Sequence, residues 1–445
     1  MIFLIKDKKA VVLSGGGARG SYQIGVWKAL REVGYDYKIV TGCSVGSING
    51  AMMVLDEFDK SMELWEIIET EKIMNYDISG DVNTPHKLFA VLTNMVGKAV
   101  KDKGISTSPL KKVLDQFIHG DDIINSGIDY GITVTKLNGF KGKEIFIKDI
   151  DCHKINDYIM GSSAFYPVMQ SYNIDGEEYI DGGYYNNMPI SMALDMGATE
   201  ILAVDLKSIG LVKKQKIPSD VKSTTITASW DLGALLMFSP HRAIRNIQLG
   251  YLDGLKSFGI LEGKKYTFAK GELSQKTSTI EQKMKILLEK MKINLFYHSI
   301  NSSDILIKTS ILRTINKEIW KQPLAKDMVL FGAEVMGEAF SVSPLEVYEF
   351  EKFDEVVYNK LNAKEINDEK EDILLSEREI IGQMTGDIIN KSRRSLLVRL
   401  LEIMGKSSYS DGDVNVLNVA ASMSTTEFLG ALYGTASGIN LIENL

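Results

Sequence analysis

The run Gly42-Cys43-Ser44-Val45-Gly46, set directly after the strand-like Lys38-Ile39-Val40-Thr41, constrains the fold of this chain more than any other stretch. A serine flanked by glycines two positions away on each side fits a sharp strand-to-helix turn, where the chain doubles back and bulky neighbours collide. Gly42 and Gly46 remove that collision. The turn lifts the Ser44 hydroxyl clear of the sheet, at the start of a helix beginning Val45-Gly46-Ser47-Ile48. Backbone N–H groups there point outward and favour negative charge, which suits a nucleophile. Alone the pattern is a weak signal, because glycine and serine also mark ordinary strand-helix turns.

A second glycine run strengthens it. Val11-Val12-Leu13 reads as a short buried parallel strand, and Ser21 to Leu30 carries Ile24, Trp27 and Leu30 on one helical face. The intervening Gly15-Gly16-Gly17-Ala18-Arg19-Gly20 is therefore a strand-to-helix turn of its own, whose unhindered N–H groups suit an oxyanion hole beside the serine. The run also matches G-x-G-x-x-G through Gly15, Gly17 and Gly20. A dinucleotide site wants an acidic residue at the end of the second strand, but that strand runs into Thr41-Gly42, and Asp36 precedes it. A P-loop is excluded because no Lys-Ser or Lys-Thr follows the glycines.

A serine needs a base. The chain has five histidines, His86, His119, His153, His241 and His298, and none lies in turn chemistry that presents it to Ser44. Asp181 is better placed, since Glu178-Tyr179-Ile180 reads as a strand end and Gly182-Gly183 lets the chain turn tightly around the carboxylate.

These residues resemble the patatin-like phospholipases, whose signatures G-G-G-x-R-G, G-x-S-x-G and D-G-G/A occur here in order at Gly15 to Gly20, Gly42 to Gly46 and Asp181 to Gly183. Gly104 to Leu110 and Gly161-Ser162-Ser163-Ala164 also look like the family, and the resemblance covers the first half of the chain. It implies a three-layer α/β fold with a mostly parallel central sheet, and a Ser44–Asp181 dyad working through an acyl-enzyme without a metal or cofactor. Gly15, Gly16 and Gly17, joined by Val45, are the expected oxyanion donors. Arg19 is the loop's one charge, expected to stabilise the loop or an anionic head group. The implied substrate is a phospholipid or lysophospholipid. Alternatives are a carboxylesterase acting on soluble esters and a non-catalytic lipid-binding protein on the same scaffold. Cys43 reads as a small, inert, buried thiol. The segment Ala164 to Tyr172, which helps wall the acyl pocket in the family, looks shorter than in many relatives.

Composition excludes other classes. The 445-residue chain carries 58 acidic against 51 basic residues, a net charge of -7, and so lacks the basic balance of a nucleic-acid binder. Two cysteines point to a reducing, cytoplasmic setting. Met1 to Ile5 is too short for a signal peptide and reads as an edge strand. No segment approaches the roughly 20 apolar residues of a membrane span, so lipid contact is peripheral. Leu232 to Phe238 reads as a core helix, with an interfacial lid as the lesser alternative.

Strands expected near 10–14, 38–42, 128–135, 143–148, 172–180 and 200–205 alternate with helices near 20–33, 45–56, 60–69, 108–118, 154–162 and 189–196. Asn246 to Gly254 reads as a closing helix that looks like bacterial members of the family, and Gly263 to Ser278 as a boundary, giving a catalytic domain over 1–270. Residues 271–445 read as an α-helical accessory domain, from Ile280, Met284, Leu287, Leu288 and Met291, and from Leu312, Ile315 and Ile319. Capping boxes are expected at Ser343 to Glu346 and Ser376 to Glu379, a solvated stretch at Asn362 to Asp372, and a buried tail over Leu417 to Leu445. This half shows no motif with chemistry, so its partner is open.

Overall fold

Short runs rich in valine, isoleucine and threonine form one sheet, and the amphipathic segments between them cover it. The computed structural model describes residues 8–76, 85–291, 293, 325–363 and 393–439. The chain divides into two compact units, Met1–Phe258 and Gly259–Leu445.

The first unit runs β1 (Lys9–Leu13), α1 (Ser21–Glu32), β2 (Tyr37–Cys43), α2 (Val45–Val54), α3 (Phe58–Glu66), α4 (Pro85–Asp102), α5 (Ser108–Phe117), α6 (Gly120–Asn125) and β3 (Asp129–Lys136). It continues with β4 (Lys141–Phe146), α7 (Ile155–Ser162), β5 (Tyr172–Ile174), β6 (Glu177–Asp181), α8 (Ile190–Asp195), β7 (Glu200–Asp205), β8 (Lys222–Thr227) and α9 (Pro240–Ser257). The sheet is ordered β5-β6-β3-β2-β1-β7-β8, with β4 also on β3. Strands β3, β2, β1, β7 and β8 are parallel, whereas β4 and β6 run antiparallel to β3, and β5 antiparallel to β6.

Alternation along the strands sends residues to two faces. Ala10, Val12, Ile39, Ile201 and Ala203 pack with Ala193 of α8 in one core cluster. The neighbouring Val11 and Leu13 are buried too, so β1 is covered on both faces, as a central parallel strand requires. Helix α2 packs on β1, β2 and β3, and α1 lies against α9.

Some details differ from the sequence-based reading. The strand expected over 172–180 is a hairpin, because Asp175 and Gly176 both have positive φ, 53° and 85°, and form a two-residue turn between β5 and β6. Strand β8 was not foreseen: Lys222-Ser-Thr-Thr-Ile-Thr is a mostly polar edge strand with little apolar pattern. Helices α4 and α6 are likewise additional. The closing helix α9 begins earlier than expected, with Pro240 in its first turn.

The second unit holds β9 (Thr267–Phe268), α10 (Glu272–Lys290), α11 (Ala325–Ala339), β10 (Val347–Tyr348), α12 (Phe350–Leu361), α13 (Arg393–Met404), α14 (Asp411–Met423) and α15 (Thr425–Ser437). Ile280, Met284, Leu288 and Met291 are buried while Leu287 is half-buried. The stretch Gly263 to Ser278, read as a lapse in pattern, contains β9 and the first turns of α10. Ser343 to Glu346 caps no helix. Its hydroxyl accepts from Leu345 N at 3.3 Å in a turn, and Val347 then pairs with Thr267 in a two-strand ribbon. A capping box does occur at Ser410 and Asp413. In the tail, Ala420, Ala421, Phe428, Leu429 and Ala431 are buried. Met1 to Ile5, Leu312, Ile315, Ile319, Ser376 to Glu379 and most of Asn362 to Asp372 lie outside the described residues.

Two glycines set how closely α1 and α9 pack. A Cβ on Gly25 would lie 1.9 Å from the Ile247 carbonyl oxygen, and one on Gly250 would lie 2.0 Å from that of Tyr22. Since those obstacles are backbone, neither can yield by a rotamer change. The Tyr22 hydroxyl donates to Asp253 Oδ2 at 2.6 Å across the same contact. Gly25→Ala and Gly250→Ala are each expected to destabilise the protein by about 1–3 kcal/mol, the range of overpacked cores, read as a lowered urea midpoint. An unchanged midpoint would mean that the two helices separate without cost.

Candidate active site

Strand β3 brings the candidate dyad together. Its one edge is occupied by β4 over Gly131 to Lys136, so β2 and β6 share the other. On that edge Cys43 of β2 pairs with Thr133, and Asp181 of β6 pairs with the next residue, Val134. Because β2 runs parallel and β6 antiparallel to β3, their C-terminal ends meet. Ser44 follows one end and Asp181 is the other.

The turn after Cys43 is tight. Ser44 sits at φ 52°, ψ -127°, outside the regions a side chain adopts without strain, and it precedes α2. A Cβ on Gly42 would lie 2.2 Å from the Gly46 carbonyl oxygen, and one on Gly46 would lie 2.4 Å from that of Leu13. Both flanking glycines are thus needed by backbone approach. Ser44 N donates to Ser162 Oγ at 2.9 Å, tying the turn to the end of α7.

Asp181 is buried, and its Oδ1 accepts from Gly183 N at 2.7 Å. A Cβ on Gly182 would lie 2.2 Å from the Thr133 carbonyl oxygen, which accounts for the glycine after the aspartate. The Cys43 thiol donates to the same Oδ1 at 3.7 Å. Burial pushes the Asp181 carboxyl up to about 6, while hydrogen bonds from Ser44, Gly183 and Cys43 pull in the opposite direction. Burial and the neighbouring carboxylate push the Cys43 thiol well up, so it stays a neutral donor.

The glycine loop narrows the expected oxyanion set. Gly15 N donates to the Asn187 carbonyl at 3.2 Å, so it is not free to hold an anion. Among the described residues, the N–H groups of Gly16, Gly17 and Val45 have no hydrogen-bond partner, and all three residues line the cavity that contains Ser44. Gly17 has φ 51°, and a Cβ there would lie 2.3 Å from the Leu235 carbonyl oxygen. Arg19 ties the loop to two neighbouring segments. Its guanidinium donates to the carbonyls of Gly233 at 2.8 Å and Lys207 at 2.8 Å, and its own N–H to Gly16 O at 3.1 Å.

Ser44 and Asp181 open on a cavity of about 440 Å³. Its wall is largely aliphatic and aromatic, with Ile48 and Met52 from α2, Leu64 and Trp65 from α3, Leu110 and Leu114 from α5, and Phe165 and Met169 from the segment before β5. Leu235, Leu236 and Phe238 also line it, but Leu232 to Phe238 is irregular and not the helix expected. Gly233 at φ 89° breaks any helix there, and the residue before Pro240 is extended, with φ -153° at Ser239. Ala18 N donates to Leu235 O at 2.8 Å and fixes the segment on the glycine loop.

His119, His153 and His241 are exposed and line no part of this cavity. His298 and the side chain of His86 lie outside the described residues. Asp151, Cys152 and His153 bring ligand atoms within 4.8 Å of one another, away from the cavity lining. Sequence reasoning missed Asn187, which lines the cavity beside Gly15, and the role of Ser162 at the elbow. The Gly161 to Ala164 segment was the only available signal for the latter.

Residues 11–194 match the family model of patatin-like phospholipases, and the chain carries a domain of that family. Over 199 residues, 45% of this chain, it is 28% identical to patatin-like phospholipase domain-containing protein 6 of Homo sapiens, a match spanning 13% of that protein. Over 214 residues, again 45% of the chain, it is 26% identical to lysophospholipase nte1 of Aspergillus oryzae, spanning 12% of that protein. The chain therefore corresponds to a small part of these curated relatives. The solved structure of VipD from Legionella pneumophila aligns with a TM-score of 0.37 at 14% identity, over 95% of this chain and 91% of that one.

The raised Asp181 carboxyl has a stability consequence. Between its ordinary value of 3.8 and about 6 the folded protein holds a proton that the unfolded chain has lost. The associated stability is full below 3.8 and is lost as pH rises through about 6. Asp181→Asn, which cannot ionise, is therefore expected to raise the stability at pH 8 by up to about 3 kcal/mol, read as a higher urea midpoint, and to leave the midpoint little changed at pH 4. A variant less stable than the parent at pH 8 would contradict this.

Proposed function

We propose that the chain is a lipid acyl hydrolase that cleaves fatty acyl esters of phospholipids or lysophospholipids, with Ser44 as nucleophile and Asp181 as base. The observation that carries this reading is the meeting of Ser44 and Asp181 at the shared edge of β3, where both line a largely apolar cavity. The Ser44 hydroxyl attacks the ester carbonyl as its proton passes to Asp181. The tetrahedral oxyanion is held by the N–H groups of Gly16 and Gly17, with Val45 at the positive end of α2. Asp181 returns the proton to the leaving alkoxide, which departs as the lysolipid or glycerophosphodiester and leaves an acyl-serine. Water, deprotonated by Asp181, then releases the fatty acid and restores Ser44.

An aspartate at its reference value of about 3.9 is a weak base for a serine hydroxyl. Burial narrows that gap by raising it to about 6. The cavity favours lipid over small soluble esters: its apolar wall stabilises a long acyl chain and offers a short one little contact.

A fluorophosphonate probe is expected to label Ser44, and Ser44→Ala to lose both labelling and hydrolysis of lysophosphatidylcholine. Labelling that persists in the variant would overturn the nucleophile. The kcat/KM of the parent is expected to climb with pH through about 6 and then level, since only ionised Asp181 accepts the proton. Asp181→Asn should lower turnover by about 10²–10⁴. Preference for a short soluble ester over micellar lipid would favour the carboxylesterase reading.

A further inference from the structure

The segment between β7 and β8 leaves its apolar residues unburied. Ile209, Leu211 and Val212 are 83%, 64% and 55% exposed, the largest such group in one stretch of the described residues. Ile209 and Leu211 also line the cavity that contains Ser44, as does Ile67, which is 54% exposed. Protruding aliphatic residues thus rim the cavity where a lipid chain would enter.

The segment's own charges, between Asp205 and Asp220, are all of one sign. From Leu206 to Ser219 there are four lysines, Lys207, Lys213, Lys214 and Lys216, and no acidic residue, in a chain whose net charge is -7. Lys213, Lys214 and Lys216 are exposed, and the Lys213 ammonium lies 3.3 Å from the centre of the Tyr185 ring. Aliphatic tips beside basic side chains are what a segment needs to enter the interface of a negatively charged bilayer: the tips leave water and the ammonium groups meet the phosphates.

The segment is also held in place. Leu211 N donates to Gly183 O at 2.8 Å, and Asn187 N donates to Leu211 O at 2.6 Å, so both backbone groups of Leu211 are bound to the turn that follows Asp181. Its ordering is already provided by the fold, and insertion would not have to supply it.

We propose that residues 207–216 are the surface by which this protein docks on an anionic lipid membrane, delivering a lipid to the cavity beside them. This deepens the hydrolase reading and rests on it for the word delivering, whereas the docking itself stands on the exposed residues. The site that binds and the site that reacts then share one rim, and a lipid passes between them without crossing water.

The test uses full-length Ser44→Ala protein, so that binding is measured without consumption of lipid. Flotation with phosphatidylcholine vesicles containing phosphatidylglycerol is compared with flotation on phosphatidylcholine alone. The protein is expected to float with the anionic vesicles, less with the neutral ones, and less as salt is raised. Val212→Asp and the double variant Lys214→Glu/Lys216→Glu lie outside the cavity lining. Each is expected to weaken binding about tenfold or more, with unchanged urea midpoints and, in the Ser44 background, unchanged labelling by the fluorophosphonate. The Val212→Asp loss should persist in high salt. Failure of the parent to float, or equal flotation of both variants, overturns the proposal. Flotation as expected without lipid hydrolysis by the Ser44 protein instead overturns the hydrolase reading and leaves the docking surface standing.

Discussion

The site depends on one edge of β3 being shared by two strands of opposite direction. With β4 on the far edge, β2 ends at Thr133 and β6 ends at Val134, so consecutive residues fix where the two C-termini meet. A slip of one residue in either pairing would turn the side chain of Cys43 or Asp181 to the other face. The glycines at 42, 46 and 182 serve this junction, since each lies where a side chain would strike the backbone of a neighbouring segment. The strain at Ser44 is held by the same frame, through Ser162 on one side and α2 on the other.

In the proposed mechanism Asp181 is a weak acid made useful as a base by its surroundings. Its burial raises the cost of ionising it, and Gly183 N and the Cys43 thiol return part of that cost through hydrogen bonds. The balance leaves a carboxylate that is ionised near neutral pH yet more basic than a solvated one. In the proposed mechanism reactivity and stability therefore oppose each other at this residue, as is common where a group is held in an unfavourable environment for chemistry. Cys43, read from the sequence as inert, fits that role as a neutral donor whose own ionisation is suppressed.

What the sequence disclosed about the site was local. The glycine-flanked serine, the second glycine loop and the Asp-Gly-Gly turn are each legible as a short pattern, although only Gly42 meets its obstacle, the Gly46 carbonyl, within a few residues. What it hid was the set of partners. That Gly15 N is taken up by Asn187, and that Arg19 is bound to the carbonyls of Lys207 and Gly233, depends on segments distant in sequence. In the fold, the parallel strands were legible from their buried apolar runs, while β8 was not, being a polar edge beside β7. Leu232 to Phe238 misled for a related reason: apolar composition signals burial, but Gly233 and the residue before Pro240 decide conformation, and they exclude a helix.

The crossing of α1 and α9 has a consequence for the birth of the protein. Nearly every residue of α1 from Ser21 to Leu30 is buried in the folded unit, and its partner ends at Ser257. A ribosome making residues at about 5–20 per second leaves the face of α1 that carries Tyr22, Gly25 and Val26 without its α9 cover for some ten seconds or more. The sheet, too, waits, since β7 joins β1 only after the hairpin of β5 and β6 has been made. The nascent chain is thus the form most exposed to aggregation, and its yield in a cell depends on what shelters that helix until the last turn of α9 emerges.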